Sequence, residues 1–279
     1  MLITWIHKGA RKRYHSLGFQ SRMLETSVGI LQCIVREGRG REGTVVLVHG
    51  MGTSSNTWIR TVSRIDDLRR IVAVDLPGFG FSSVHRTEGF ATFRGHQAAL
   101  SEVLAGYDEG PLTLVGHSFG GWLCAWFAAA NPGSVQHLVL VNAVGIYFRG
   151  IESLREMFMV TSVDDTKHLL NTMWYRYPWY LKPFARAIYQ ELKRRHVNEL
   201  VASIEAHDLL VEELSRLSMP VSLIWGREDG IVPLGVVDSM LRLVPRAQFF
   251  FIEQCGHVPQ LEKPDQFAAQ LNRVLRRAS

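Results

Sequence analysis

Residues 112–130 read Leu-Thr-Leu-Val-Gly-His-Ser-Phe-Gly-Gly-Trp-Leu-Cys-Ala-Trp-Phe-Ala-Ala-Ala, an apolar strand running through Gly-x-Ser-x-Gly directly into a small-residue helix. Few folds tolerate so abrupt a reversal. The serine must take strained backbone, and Gly116 and Gly120 must let neighbouring chain pass close by. The hydroxyl of Ser118 is then held at a helix N-terminus, where the dipole favours developing negative charge. The bare five-residue pattern is weak, but its strand and helix context makes it a strong sign of a nucleophile. The bland alternative is a glycine-rich strand–helix turn with an idle serine.

Strand-like and helical runs alternate around this turn. Phe19–Glu25 and Val28–Arg36 read as antiparallel strands, with Ser27 and Gly29 near the turn between them. Thr44–Val48, Ile71–Asp75, Leu112–Val115, Val135–Val141, Val221–Trp225 and Gln248–Ile252 are short apolar runs, as expected of strands covered on both faces. Helical segments fall at about Asn56–Ile65, Thr92–Ala105, Phe119–Ala130, Leu234–Leu243 and Pro264–Arg277. This alternation predicts an α/β fold with a mostly parallel, eight-stranded sheet and right-handed crossovers. Ligands in such sheets sit beyond the carboxyl ends of the strands. Residues 146–217 break the rhythm, with helical patterns, Pro178 and Pro183, and crowded aromatics that include Trp174 and Trp179. They predict an inserted helical cap (lid), with 19–145 and 218–279 forming the core and 1–18 a basic N-terminal arm. Most cap aromatics are expected to pack against the body, with two or three facing substrate.

With 279 residues, 47% hydrophobic and 20% charged, the chain is long enough to bury a large core without staples. Cys33, Cys124 and Cys255 are far apart and odd in number, which argues against a disulfide framework and fits a reducing cytoplasm. The net charge of +5 is concentrated at the ends, with Lys8, Arg11, Lys12, Arg13 and Arg22 at the start. No basic stripe with stacking aromatics follows, so nucleic acid is not expected. The arm is either solvated or in weak contact with a membrane surface. Met1–Ala10 does not read as a signal peptide, and no run approaches the ~20 apolar residues of a membrane span.

Three further segments carry chemistry. Val45-Val46-Leu47-Val48-His49-Gly50-Met51-Gly52 is a strand with a glycine-rich exit loop. Acyl transfer needs two backbone N–H donors aimed at a tetrahedral oxyanion, and Met51 and Phe119 are the expected pair. His49 is read as shaping this loop. Trp225-Gly226-Arg227-Glu228-Asp229 places Asp229 at a strand's carboxyl end, and Glu253-Gln254-Cys255-Gly256-His257 is the exit loop of the last strand. A neutral imidazole at His257 would take the serine proton, and a buried carboxylate at Asp229 would fix its tautomer. Taken singly, Asp229 could be a helix cap and His257 a loop histidine. Asp75, in Asp75-Leu76-Pro77-Gly78-Phe79-Gly80, is expected to bond local backbone. His49, Gly50, His117, Trp174, Trp179 and Val258 are candidate substrate contacts. The remaining histidines lack metal-ligand spacing, so no metal and no cofactor are expected.

Together these segments resemble the α/β-hydrolase superfamily from about Phe19 to the C-terminus, most closely its esterase and monoacylglycerol-lipase branch with a short helical cap. Leu17-Gly18-Phe19-Gln20-Ser21-Arg22 and Glu253-Gln254-Cys255-Gly256-His257 carry the subfamily likeness. The resemblance implies the chain order Ser118, Asp229, His257 for nucleophile, acid and base. Haloalkane dehalogenases and epoxide hydrolases resemble the chain elsewhere but use Asp as nucleophile, where this chain has Ser118. The implied activity is a serine carboxylic-ester hydrolase for a small-molecule ester, with an apolar short- to medium-chain acyl or aromatic group. One alternative is a carbon–carbon hydrolase of ring-fission dienoates, with Arg176, Arg186 or Arg227 holding the substrate's acid groups. Haloperoxidase, lactonase or amidase chemistry and a catalytically silent binding module complete the alternatives.

Overall fold

The computed structural model describes residues 2–40, 43–65, 68–85, 91–107, 109–148 and 151–277. Eight strands form one sheet in the order β1-β2-β4-β3-β5-β6-β7-β8. They are β1 (Gln20–Glu25), β2 (Ile30–Arg36), β3 (Thr44–Val48), β4 (Arg70–Val74), β5 (Leu112–His117), β6 (Val135–Val141), β7 (Val221–Gly226) and β8 (Gln248–Ile252). β2 runs antiparallel to both β1 and β4, and every pairing from β4 through β8 is parallel.

The helices are α1 (Leu2–Ser16), α2 (Ile59–Val62), α3 (Phe93–Ala105), α4 (Phe119–Ala130), α5 (Ile151–Phe158), α6 (Val163–Met173), α7 (Ala185–Arg194), α8 (Val197–Ala202), α9 (Glu212–Ser215), α10 (Leu234–Leu243), α11 (Pro259–Glu262) and α12 (Pro264–Arg277). α5 to α9 lie between β6 and β7, where the described residues contain no strand. Among the described residues no helix is long and apolar enough to cross a membrane.

The apolar strands serve two cores at once, because successive side chains point to opposite faces. Val46, Val48 and Leu114 pack with α3, α4 and α10 on one face, while Val45, Leu47 and Val115 pack with Tyr14, Trp58 and α12 on the other. Full burial of each such side chain stabilises by about 1.5–3 kcal/mol. β4 and β5 lie on opposite sides of β3, with Val48 opposite Gly116. The connections therefore diverge there and open a crevice at the carboxyl ends of β3 and β5.

One local reading is corrected. The helix expected over Asn56–Ile65 is a 3₁₀ turn, Ser55–Trp58, followed by the short α2. The Ser55 N–H donates to the Asp75 carboxylate at 2.7 Å, which anchors the tight first turn. The basic N-terminal arm forms the helix α1. Gly18, at φ 82, ends α1, and Phe19 N–H returns to Tyr14 O at 3.1 Å, six-to-one closure around a left-handed residue. Tyr14 is buried, its hydroxyl donates to Ser55 O at 2.7 Å, and its ring meets Phe19 edge-to-face at 5.2 Å. The arm's basic composition hid this single apolar anchor.

Burial also sets a pH dependence. His96 on α3 is buried against Phe79 and Phe119, donates from Nδ1 to Thr92 O at 2.9 Å, and is pushed down to about 4 by burial. His137 on β6 is likewise lowered to about 4 by burial. The unfolded chain takes up these protons first, so their contribution to stability is complete above the ordinary histidine value of about 6.5. It is lost as pH falls from there towards 4. We expect acidification across that window to cost on the order of 3 kcal/mol of unfolding free energy through His96. Urea titrations should show a shallower pH slope in His96→Gln; a slope equal to that of the parent protein would contradict this.

Candidate active site

Ser118 occupies φ 52, ψ −119, a conformation that non-glycine residues adopt at a cost of about 1–3 kcal/mol. The surrounding backbone holds it there. Its N–H donates to Val141 O at 2.9 Å, and its carbonyl accepts from Trp122 N–H at 3.2 Å. A Cβ on Gly116 would lie 2.5 Å from Gly120 O, and one on Gly120 would lie 2.4 Å from His49 O. The turn closes only because both side chains are missing.

The Ser118 hydroxyl lies 2.9 Å from His257 Nε2, and His257 Nδ1 lies 2.9 Å from Asp229 Oδ2. The side chains of His257 and Asp229 are almost wholly buried. Asp229 Oδ1 accepts Ile231 N–H at 2.8 Å and Val232 N–H at 3.1 Å, and Oδ2 also accepts Asn142 Nδ2–H at 2.6 Å. With Asp229 Oδ2 accepting from Nδ1–H, the tautomer leaves Nε2 of His257 as the acceptor facing Ser118.

The loop of His257 is fixed by its backbone. Its N–H donates to Met173 O at 2.7 Å, and its carbonyl accepts from His117 Nε2 at 2.7 Å. His117 must therefore carry its proton on Nε2. Burial, then the neighbouring His257, holds it well below the ordinary histidine range, so it stays neutral. Glu262 ties the same loop to the helical segment, with Oε1 accepting Gly256 N–H and Oε2 accepting Tyr175 N–H, both at 2.9 Å.

The exit loop of β3 is held by its own hydrogen bonds. His49 Nε2 accepts Leu76 N–H at 3.0 Å, so its proton sits on Nδ1, which donates to Gly50 O at 2.8 Å. Thr53 Oγ1 donates to the same carbonyl at 2.7 Å. The trans peptide then turns the Met51 N–H the opposite way. Among the described residues neither Met51 nor Phe119 donates its N–H within the turns and loops, and both residues line the cavity beside Ser118. Asp75 bonds local backbone, accepting Ser55 N–H and Phe81 N–H.

That cavity is about 510 Å³. Trp122, Ile146, Phe148, Leu154, Phe158 and Val201 give it apolar walls, while Glu152, Arg155 and Glu205 supply its charged groups. Several expected contacts lie elsewhere. Trp179 is 79% exposed, and Trp174 packs on Tyr177 beside the His257 loop. His49, Gly50, His117 and Val258 are buried in the framework, with Gly50 directly against Ser118. Arg176, Arg186 and Arg227 do not line the cavity, and Arg227 pairs with Glu253 at 2.6 Å. Asn142 escaped the sequence reading. Its one signal is a polar residue directly after the fully apolar end of β6.

The profile described as "Alpha/beta hydrolase family" matches residues 45–270. A 2-hydroxy-6-oxononadienedioate/2-hydroxy-6-oxononatrienedioate hydrolase of Cupriavidus pinatubonensis is 28% identical, across 82% of this chain and 85% of that protein. A pimeloyl-[acyl-carrier protein] methyl ester esterase of Nitrosomonas europaea is 29% identical, across 84% of this chain and 96% of that protein. The Lip1 structure from Acinetobacter baumannii AYE superposes with a TM-score of 0.85 at 22% identity, across 98% of this chain and 96% of that one, a likeness of fold.

Removing the Asn142 amide leaves the buried Asp229 charge short of a donor. We expect Asn142→Ala to lower unfolding free energy by about 1.5–3 kcal/mol in urea titrations. Asn142→Asp, which sets a second carboxylate against Asp229, should cost more. Changes within about 0.5 kcal/mol would show that the bond carries no weight.

Proposed function

This chain belongs to the alpha/beta hydrolase family, and from that membership we propose a serine carboxylic-ester hydrolase that works through an acyl-enzyme. One observation carries the reading: the hydrogen-bonded line from Asp229 through His257 to Ser118 opens, at its serine end, onto an apolar cavity. Ser118 Oγ attacks the ester carbonyl carbon while His257 Nε2 takes its proton. The N–H groups of Met51 and Phe119 hold the carbonyl oxygen as it becomes an oxyanion. Collapse expels the alcohol, which receives the proton from His257. Water, deprotonated by the same imidazole, then attacks the acyl ester and releases the acid, restoring Ser118. These steps need no metal or cofactor.

The cavity supports a short- to medium-chain acyl or aromatic ester, with α5 and α8 acting as a cap over it. Its charged lining also weighs against the main alternative. The Cupriavidus relative is named for dioates, which bear two carboxylates. Here Glu152 and Glu205 face the cavity with Arg155, two acids against one cation. A dianion would meet net repulsion, whereas a neutral ester would not. Arg155 still favours keeping cleavage of a ring-fission monoacid as a second reading. The three buried, unpaired cysteines support a reducing, cytoplasmic setting.

Hydrolysis of p-nitrophenyl esters of increasing chain length tests the proposal. We expect turnover that favours short to medium chains and falls by roughly 10⁴–10⁶-fold in Ser118→Ala. Equal turnover by both proteins would overturn it. Loss of a coloured dienone with no turnover of simple esters would put carbon–carbon cleavage first.

A further inference from the structure

Between Asp165 and Glu191 the chain carries no acidic residue, but it carries Lys167, Arg176, Lys182 and Arg186. Arginines elsewhere on the surface are commonly neutralised: Arg194 by Glu191, Arg216 by Glu212, Arg227 by Glu253 and Arg64 by Asp265. Among the described residues, Arg176, Lys182 and Arg186 form no ion pair, and all three are exposed. The 3₁₀ turn Trp179–Phe184 adds two large aromatics that the protein leaves in solvent. Trp179 is 79% exposed and Tyr180 56%, with ring centroids 6.1 Å apart. Trp is ordinarily a well-buried side chain.

The turn is rigid as well as exposed. Pro178 and Pro183 fix its backbone, Leu181 N–H donates to Pro178 O at 3.0 Å, and Tyr177 Oη–H donates to Leu181 O at 3.1 Å. A preformed presentation costs little ordering entropy on docking. Trp and Tyr have an apolar body and a polar tip, which suits them to the depth of lipid headgroups. Unpaired cations beside them suit anionic headgroups. A single-stranded nucleic acid needs a charged groove with successive stacking platforms, which one protruding ring pair does not offer.

We propose that residues 175–186 form a docking surface for an anionic lipid bilayer, with Trp179 and Tyr180 entering the headgroup layer and Arg176, Lys182 and Arg186 facing its charge. This places the contact on the helical segment, not on the basic helix α1. The same segment grips the catalytic loop, since Met173 O accepts His257 N–H and Tyr175 N–H donates to Glu262. Docking would therefore fix the orientation of the Ser118 site to the bilayer.

Ser118→Ala protein, which removes hydrolysis from the assay, is sedimented with vesicles of phosphatidylcholine alone or mixed equally with phosphatidylglycerol. We expect binding to the mixed vesicles at ~0.1 M salt with a blue-shifted tryptophan emission, and loss of binding near ~1 M salt, where charges are screened within about 3 Å. Trp179→Ala/Tyr180→Ala should weaken binding about ten-fold. Arg176→Ala/Lys182→Ala should weaken it about five-fold per cation. Melting temperatures should stay unchanged in both variants. Equal binding to both vesicle types, binding to neither, or tighter binding to single-stranded RNA than to mixed vesicles would overturn the proposal. So would binding that survives both double variants but is lost on neutralising Lys8, Arg11 and Lys12.

Discussion

Between β5 and α4 the chain turns within a single residue, and the rest of the site is arranged around that turn. Ser118 can hold φ 52 because Gly116 and Gly120 let the strand, the helix and the β3 exit loop come within contact distance. The reversal lifts the hydroxyl above the sheet edge and leaves the Phe119 N–H free at the start of α4. It also brings Gly50 against Ser118, so the β3 loop has one conformation that fits. There the Gly50 carbonyl accepts from His49 and Thr53, and Met51 lines the cavity beside Ser118. Local strain at one residue thus sets where Met51, Phe119 and Ser118 meet at the cavity.

The partners reach that point because parallel strands deliver their exit loops to one end. Loops after β3, β5, β6, β7 and β8 supply Met51, Ser118, Asn142, Asp229 and His257 in spatial order along the sheet. Each is fixed by backbone more than by its neighbours in the chain. His257 is clamped at both its N–H and its carbonyl, and Asp229 by two N–H groups of its own loop. Such over-determination holds a buried carboxylate, an imidazole and a hydroxyl in line. At the low effective dielectric of a buried site their mutual polarisation is stronger than it would be in water.

Much of this was legible in the sequence, for reasons that differ by residue. The short apolar runs of β3 and β6 read as covered strands, and Gly-x-Ser-x-Gly between a strand and a helix pointed to a sharp turn at Ser118. Part of the loop chemistry was legible too: Asp75 accepts Phe81 N–H within its own loop and His49 donates to Gly50 O, although the bonds to Ser55 and Leu76 reach 20 and 27 residues along the chain. What stayed hidden depends on long-range packing. Asn142 lies 87 residues from the carboxylate it supports. Tyr14 anchors α1 to a carbonyl 41 residues away. Crowded aromatics do not announce which face they occupy, so Trp174 and Trp179 read as substrate contacts although the cavity walls come from α4, α5 and α8. Exposure of Trp179 is a property of the fold, invisible in composition.

The central question for this site is whether the imidazole at position 257 makes the hydroxyl at position 118 a nucleophile. Labelling of the folded protein with a fluorophosphonate, followed by peptide mass mapping, reads this directly. The account predicts a single adduct, on Ser118, that forms rapidly in the parent protein and is nearly abolished in a folded His257→Ala variant. An adduct on another residue, or labelling of Ser118 at an undiminished rate without the imidazole, would contradict it.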